Sequence, residues 1–174
     1  MTVMMKPGAE GAAMNAESYR ALMRHQAGAV TVIAAGEPGR RAGLTATAVS
    51  SLSDSPPTIL VCVHKRAGAH ALITEARAFT VNILANDQQT VAERFAGRHG
   101  VSGEQRFEGL EWSRLATGAP VLTGSLASLD CWLHEQHAFE THSIFVGRVV
   151  AGAFRAEAAP LLYFRGDYWD LGDR

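Results

Sequence analysis

Residues 41–64, RAGLTATAVSSLSDSPPTILVCVH, decide how the rest of the chain is read. This stretch runs through a hydroxyl-rich segment (Thr45, Thr47, Ser50, Ser51, Ser53), breaks at Pro56-Pro57 and ends in the apolar run ILVCV at 59–63. That order predicts two strands joined by a turn. The second is apolar at every position and is expected to be covered on both faces. The first carries small side chains that leave its backbone reachable.

Lys65 and Arg66 follow directly, so a groove of hydroxyls and amides would end beside two cations. Such a groove suits an anionic, flat, partly polar ligand of the flavin nucleotide kind. Ser and Thr are also ordinary in half-exposed strands, and a Lys-Arg pair after a strand is ordinarily a solvated turn. Spacing alone leaves both readings open.

Upstream, Asn15 predicts a helix cap, Tyr19, Leu22 and Met23 fall at i, i+3 and i+4, and Gly28 supplies a stop. Residues 29–35 then read as an apolar strand, Glu37-Pro38-Gly39 as a turn, and the strand from Arg41 as its hairpin partner. Residues 1–14 are aperiodic and are expected to form a flexible tail, leaving one domain over 15–174.

Downstream, 67–77 reads as a short helix and 79–84 (FTVNIL) as a strand. Asn86 or Asp87 caps a helix through Val91, Ala92 and Phe95 that stops at Gly97. Residues 98–118, rich in Gly and charge, are expected to leave the core. Residues 126–139 and 143–154 read as long strands, the first with clear alternation, and 161–164 with 168–171 close the chain. Strands outnumber helices without regular strand-helix-strand alternation. This predicts a mainly β fold with peripheral helices, a mostly antiparallel barrel or curled sheet.

The 174 residues carry 16 Lys+Arg against 17 Asp+Glu, a formal net charge of -1, which is not the basic footprint of a general nucleic-acid binder. Cys62 and Cys131 both sit in apolar strand patterns and offer neither a disulfide framework nor zinc spacing. No apolar run reaches bilayer-spanning length and the start lacks a signal-peptide pattern, so a cytoplasmic protein with no membrane or nucleic-acid partner is expected. No strand runs into a G-x-G-x-x-G or P-loop turn, so any nucleotide must be held another way.

Of the seven histidines, His25, His64, His70, His99, His134 and His137 show no metal or triad spacing, and no metal site is expected. His142 lies between the two long strands, where a hairpin corner would lift it over a barrel mouth; an exposed turn residue fits the local pattern equally. Arg94-Phe95-Ala96 ends a helix with a cation beside an aromatic, a pair able to contact a phosphate and stack on a ring, or equally a solvated Arg beside a core Phe. Tyr163-Phe164-Arg165 and Tyr168-Trp169 form an aromatic cluster, ordinarily a sheet edge folded onto the core.

Several motifs stand in one order: Gly43-Leu44-Thr45-Ala46-Thr47-Ala48-Val49-Ser50-Ser51, Asp54-Ser55-Pro56-Pro57, Phe79-Thr80-Val81-Asn82-Ile83-Leu84, Arg94-Phe95-Ala96-Gly97, Gly124-Ser125-Leu126-Ala127, Thr141-His142 and Leu161-Leu162-Tyr163-Phe164. In this the chain resembles the short-chain flavin reductases of two-component flavin-dependent monooxygenases. The resemblance implies a homodimeric split β-barrel of the flavin-reductase-like FMN-binding fold. It implies an NAD(P)H:flavin oxidoreductase that reduces FMN or FAD with NADH or NADPH and passes diffusible reduced flavin to a separate monooxygenase component acting on an aromatic substrate.

By the same resemblance, Thr45, Ala46, Thr47, Ala48, Val49, Ser50, Ser51 and Leu52 would line the isoalloxazine and ribityl chain. Cys62, Val63, His64, Lys65 and Arg66 would lie beside the phosphate, and Arg94, Phe95 and Ala96 would reach the phosphate or the far end of the nucleotide. Gly28, Ala29 and Val30 would face the nicotinamide with His142, the catalytic candidate. Many relatives carry Ser or Thr where this chain has Ala67-Gly68-Ala69. Hydride transfer belongs to the cofactors, so no nucleophile or metal is required. Two other readings stay open: a split-barrel flavoenzyme that retains its flavin and reduces a corrin or quinone, and a flavin-binding protein without turnover.

Overall fold

The computed structural model describes residues 13–171. The tail expected over residues 1–14 lies, for positions 1–12, outside the described residues. Helix α1 (Ala16–Met23) begins at its predicted cap, where the Asn15 side chain accepts the Ser18 backbone N–H at 2.9 Å and satisfies a first-turn donor. The helix buries none of its residues: Tyr19, Leu22 and Met23, the row at i, i+3 and i+4, are 57%, 44% and 43% exposed.

A short strand β1 (Gly28–Ala29) precedes the hairpin of β2 (Thr31–Glu37) and β3 (Arg40–Ala46), and β4 (Val49–Asp54) with β5 (Pro57–His64) forms a second hairpin. Next come α2 (Gly68–Ala76), β6 (Ala78–Ile83), α3 (Gln89–Phe95) and a ribbon of β7 (Trp112–Arg114) with β8 (Pro120–Leu122). The long hairpin of β9 (Ala127–Ala138) and β10 (His142–Phe154) follows, then β11 (Leu162–Phe164) with β12 (Asp167–Trp169), which extend β1 into a three-stranded sheet.

The main sheet has seven antiparallel strands in the order β3-β2-β6-β9-β10-β5-β4. Its two edges, β3 and β4, are consecutive in the chain and joined only by Thr47 and Ala48. In a flat sheet six spacings of about 4.8 Å would hold them roughly 29 Å apart. The link between Ala46 and Val49 reaches only about 10 Å. The sheet must therefore curl until its edges meet at that end. Among the described residues no ladder joins β3 to β4, so the barrel is split along a seam that Thr47-Ala48 crosses. The expected split barrel with peripheral helices is the fold observed.

Three local expectations change. The single strand read through Thr45 and Ser51 is two strands on opposite edges, broken at Thr47-Ala48 with neither Gly nor Pro to mark the break. The strand covered on both faces is β2, buried at every position from Thr31 to Ala35, with Ile33 toward the barrel interior (Val61, Phe79, Phe145) and Val32 toward a second cluster (Leu84, Phe95, Phe107). β5 instead alternates: Ile59, Val61 and Val63 point inward, while Leu60, Cys62 and His64 remain half-exposed.

Residues 98–118 are also no simple excursion. Phe107 is fully buried, and the segment is bound to β3 by the Arg41–Glu104 ion pair and by Arg106, which donates to the carbonyls of Gly43 (3.2 Å) and Phe95 (2.9 Å). Burial alone would raise the Glu104 carboxyl, but the hydrogen bonds and charge of Arg41 outweigh it and hold the group below its ordinary range.

Candidate active site

Two cavities open on the seam and share Thr47 and Tyr163, so they form one continuous groove. The larger, about 570 Å³, is lined by α1, Gly28, the crossing from Thr47 to Ser50, and Leu60 and Cys62 of β5. The smaller, about 200 Å³, lies between Val30, Thr45, Ala46, Ala96, Arg98 and Tyr168. The larger cavity alone falls in the range of roughly 300–1,000 Å³ usual for small-molecule sites.

The floor is held by backbone. The Ala48 carbonyl accepts the Cys62 N–H (3.0 Å), the Thr47 carbonyl accepts that of Val49 (3.0 Å), and the Ala46 carbonyl accepts the Thr31 hydroxyl (2.7 Å). The Thr45 hydroxyl donates to the Ala92 carbonyl at 2.6 Å, so it braces α3 instead of reaching into the groove. Thr47 makes no side-chain hydrogen bond among the described residues and lines both cavities. β1 passes close by: a Cβ on Gly28 would lie 3.3 Å from Thr47 Cβ.

Of the residues expected at a flavin, the groove gathers Thr45, Ala46, Thr47, Ala48, Val49, Ser50, Cys62 and Ala96, together with Gly28 and Val30 from the nicotinamide set. Ala29, Ser51 and Leu52 lie outside it. Val63 points into the barrel interior, because β5 alternates. Phe95 is also buried, in edge contact with Phe107 (5.1 Å) and Trp112 (5.9 Å), so it cannot stack on a ligand. Arg94 donates to the Glu108 carbonyl at 2.6 Å and is absent from the groove lining. The cation at that end is Arg98, 5.5 Å over the Tyr168 ring and 3.8 Å from Glu93.

His64, Lys65, Arg66 and His142 stand beyond the groove, off the end of Cys62. His142 opposes His64 across the β5–β10 ladder as Ile144 opposes Cys62, which puts both histidines on the outer face that carries Cys62. Their rings meet edge to face at 4.8 Å. The Arg66 N–H donates to His64 Nδ1 at 3.0 Å, so that nitrogen carries no proton. Thr141 Oγ1 lies 2.8 Å from His142 Nδ1. α2 starts here with Ala67 as its N-cap and no side chain on its first N–H groups, next to the exposed Lys65 and Arg66.

On the inner side of the same ladder, His70 Nε2 lies 2.9 Å from Ser143 Oγ and its ring abuts Phe145. Burial, and then Lys65, push its pKa below the ordinary 6.5. Burial likewise pushes the Cys131 thiol up to about 12, which leaves it protonated and inert. Among the described residues no group of three or more His, Cys, Asp or Glu is placed to hold a metal. No helix among them is long and apolar enough to cross a membrane.

A family model described as "Flavin reductase like domain" matches residues 23–172. The chain belongs to the flavin reductase family. It is 41% identical over 158 residues to the FMN reductase (NADH) RutF of Methylorubrum extorquens, a match that covers 91% of this chain and 76% of that protein. Among solved structures it resembles BorF, the flavin reductase component of a bacterial two-component tryptophan halogenase (TM-score 0.83, 36% identity, 92% of this chain and 100% of that one). It also resembles the NADH:FAD oxidoreductase SgcE6 of Streptomyces globisporus in complex with NAD and FAD fragments (TM-score 0.80, 30% identity, 88% and 90% covered).

For this flavin reductase, sequence reasoning missed the contributions of α1 and the turn that follows it (Arg20, Met23, Arg24, Gln26), Leu60 and Arg98. Tyr163 and Tyr168 stood out as a cluster but read as a sheet edge. Nothing in the local spacing marks these residues, since they meet only through the fold.

Proposed function

We propose that this chain is an NADH-dependent flavin reductase that takes FMN or FAD as a dissociable substrate in the seam groove. On this reading it is a cytoplasmic enzyme that passes reduced flavin by diffusion to a separate monooxygenase acting on an aromatic substrate. The observation that carries the reading is the crossing at Thr47-Ala48: a small-residue floor with exposed backbone, open along a cavity of ligand size. The residues fit a flavin. Backbone amides at the seam are reachable because Ala48 has only a methyl group, and the unpartnered Thr47 hydroxyl is available to a polar ring edge. Lys65, Arg66 and the uncapped start of α2 supply the cationic donors that a phosphate needs.

When both are bound, the nicotinamide and flavin rings supply the hydride chemistry, donor C4 to acceptor N5. The protein's part is to bind, orient and exclude water. Tyr163, shared by the two cavities, offers an aromatic wall. Gly28 and Val30 line the groove, Gly28 close beside Thr47, and His142 with His64 borders its outer end.

The groove is open on the side where Leu60 and Cys62 are half-exposed, and Leu52, Trp132, Val150 and Phe154 are exposed apolar side chains of β4, β9 and β10. This supports a symmetric homodimer in which the partner covers that face. Following NADH or NADPH oxidation with added FMN or FAD tests the function: saturable dependence on free flavin is expected. A flavin that copurifies, with turnover indifferent to added flavin, would replace this reading by a retained-flavin enzyme. Light scattering that shows an active monomer at micromolar concentration would remove the dimer.

A further inference from the structure

We infer that Arg20 and Arg24 of α1 form a cationic clamp for the diphosphate of a dinucleotide, the NADH donor first of all. The inference rests on the reading of the chain as an NADH-dependent flavin reductase and assigns a role to a helix which that reading leaves unused.

An eight-residue helix that buries nothing is not retained by a core, and helices so short are marginal by themselves. α1 is instead tied to the fold at its C-terminal end, where the Arg165 N–H donates to the Arg24 carbonyl at 2.7 Å, while the Asn15 cap closes its other end from within. The C-terminal hairpin thus holds the helix as one wall of the larger cavity. Arg20 and Arg24 are four residues apart, so they share a helix face, and both line that cavity.

Their charges are unanswered. Among the described residues neither Arg20 nor Arg24, both exposed, has a carboxylate partner, as Arg40, Arg41, Arg98 and Arg155 do; other arginines lack one too, and what sets this pair apart is that both line the cavity. Like charges at i and i+4 repel, and an anion between them reverses the sign of that interaction. A mononucleotide does not need this second pole. Lys65 and Arg66 already stand beside the uncapped α2, about 10 Å past Cys62 at the rise of a strand. The lining residues between, Ala48, Leu60 and Cys62, carry no charge. Two cationic poles with an uncharged strip between them match a second phosphorylated group. Two guanidiniums match the two charges of a diphosphate, each able to bind bidentately.

The test uses the full chain with Arg20→Gln and Arg24→Gln, singly and together. NADH is compared with 1-benzyl-1,4-dihydronicotinamide, a donor with no phosphate, at saturating FMN, and FMN and FAD affinities are titrated on the same proteins. For the double variant the ratio of kcat/KM for NADH to that for the benzyl donor should fall about tenfold or more, through KM for NADH. If the FAD-to-FMN affinity ratio falls instead, the clamp holds the diphosphate of FAD. If neither ratio moves in a protein that still reduces flavin with NADH, the clamp is refuted while the function stands. A wild-type protein that oxidises no NADH with either flavin overturns both.

Discussion

Gly43 and Ala48 belong to one run of small residues, and they are small for opposite reasons. At Gly43 the protein covers its own backbone. A Cβ there would sit 2.7 Å from the Phe95 ring and 3.0 Å from the Ile33 carbonyl oxygen, Arg106 donates to the Gly43 carbonyl, and Glu104 accepts the neighbouring Arg41 N–H at 2.7 Å. At Ala48 the chain leaves one sheet edge for the other, and what lies over it is the groove. A small residue says that something approaches the backbone. Only the fold says whether the visitor is a side chain of the same chain or a ligand.

The largest effect should come from filling the covered half. Gly43→Val drives two methyl groups into Phe95, which is itself wedged between Phe107 and Trp112 and cannot retreat. A loss of about 3 kcal/mol is expected, high in the range for overpacked cores. Urea melts measure it, and a loss below about 1 kcal/mol would mean that Phe95 yields and the two halves differ little in cover.

Filling the open half should leave the fold alone and remove the ligand. Ala48 is exposed, so Ala48→Trp should change stability by less than about 0.5 kcal/mol. Flavin affinity should fall about a hundredfold, equivalent to roughly 2.8 kcal/mol. Unchanged affinity in a folded Ala48→Trp protein would place the flavin elsewhere.

This contrast also explains what was legible in the sequence. Asn15 as a cap and the buried row Val91, Ala92 and Phe95 of α3 are local, and the structure has them where the pattern put them. The alternation of β9 holds only from Cys131 to His134: Ser128 and Asp130, read as its wetter face, are buried and hydrogen-bonded to Asn82 and Thr117, while Ala127 and Leu129 are half-buried. The break at Thr47-Ala48 was hidden because Thr and Ala suit a continuing strand as well as a crossing. The exchange of roles between β2 and β5 was hidden too, since both are apolar and only sheet order tells which has cover on two faces. At the groove, the floor residues could be named because they are contiguous. Arg20, Arg24, Arg98 and Tyr168 arrive from elements far apart in sequence, and spacing carries no trace of such a meeting.

The smallest effect tests the comparison where it turns from floor to rim. His70 and His142 flank the same end of the β5–β10 ladder. His70 lies on the inner side against Ser143 and Phe145, while His142 is exposed on the outer side against His64. If open backbone marks function and covered backbone marks packing, His142 is the functional member of the pair. An imidazole there can hydrogen-bond the amide or ribose of the donor and help hold its ring flat, without itself moving a proton. Loss of one hydrogen bond costs roughly 0.5–1.5 kcal/mol, and the misorientation that follows adds to the hydride barrier. His142→Ala should therefore raise KM for NADH or lower kcat by about tenfold, equivalent to roughly 1.4 kcal/mol, with flavin affinity scarcely changed. Flavin titration and stopped-flow reduction on the same variant decide the matter. Normal reduction with normal binding would make His142 a solvated corner residue and confine the site to the groove. Lost flavin binding would instead move it to the flavin's side of the site, next to Lys65 and Arg66.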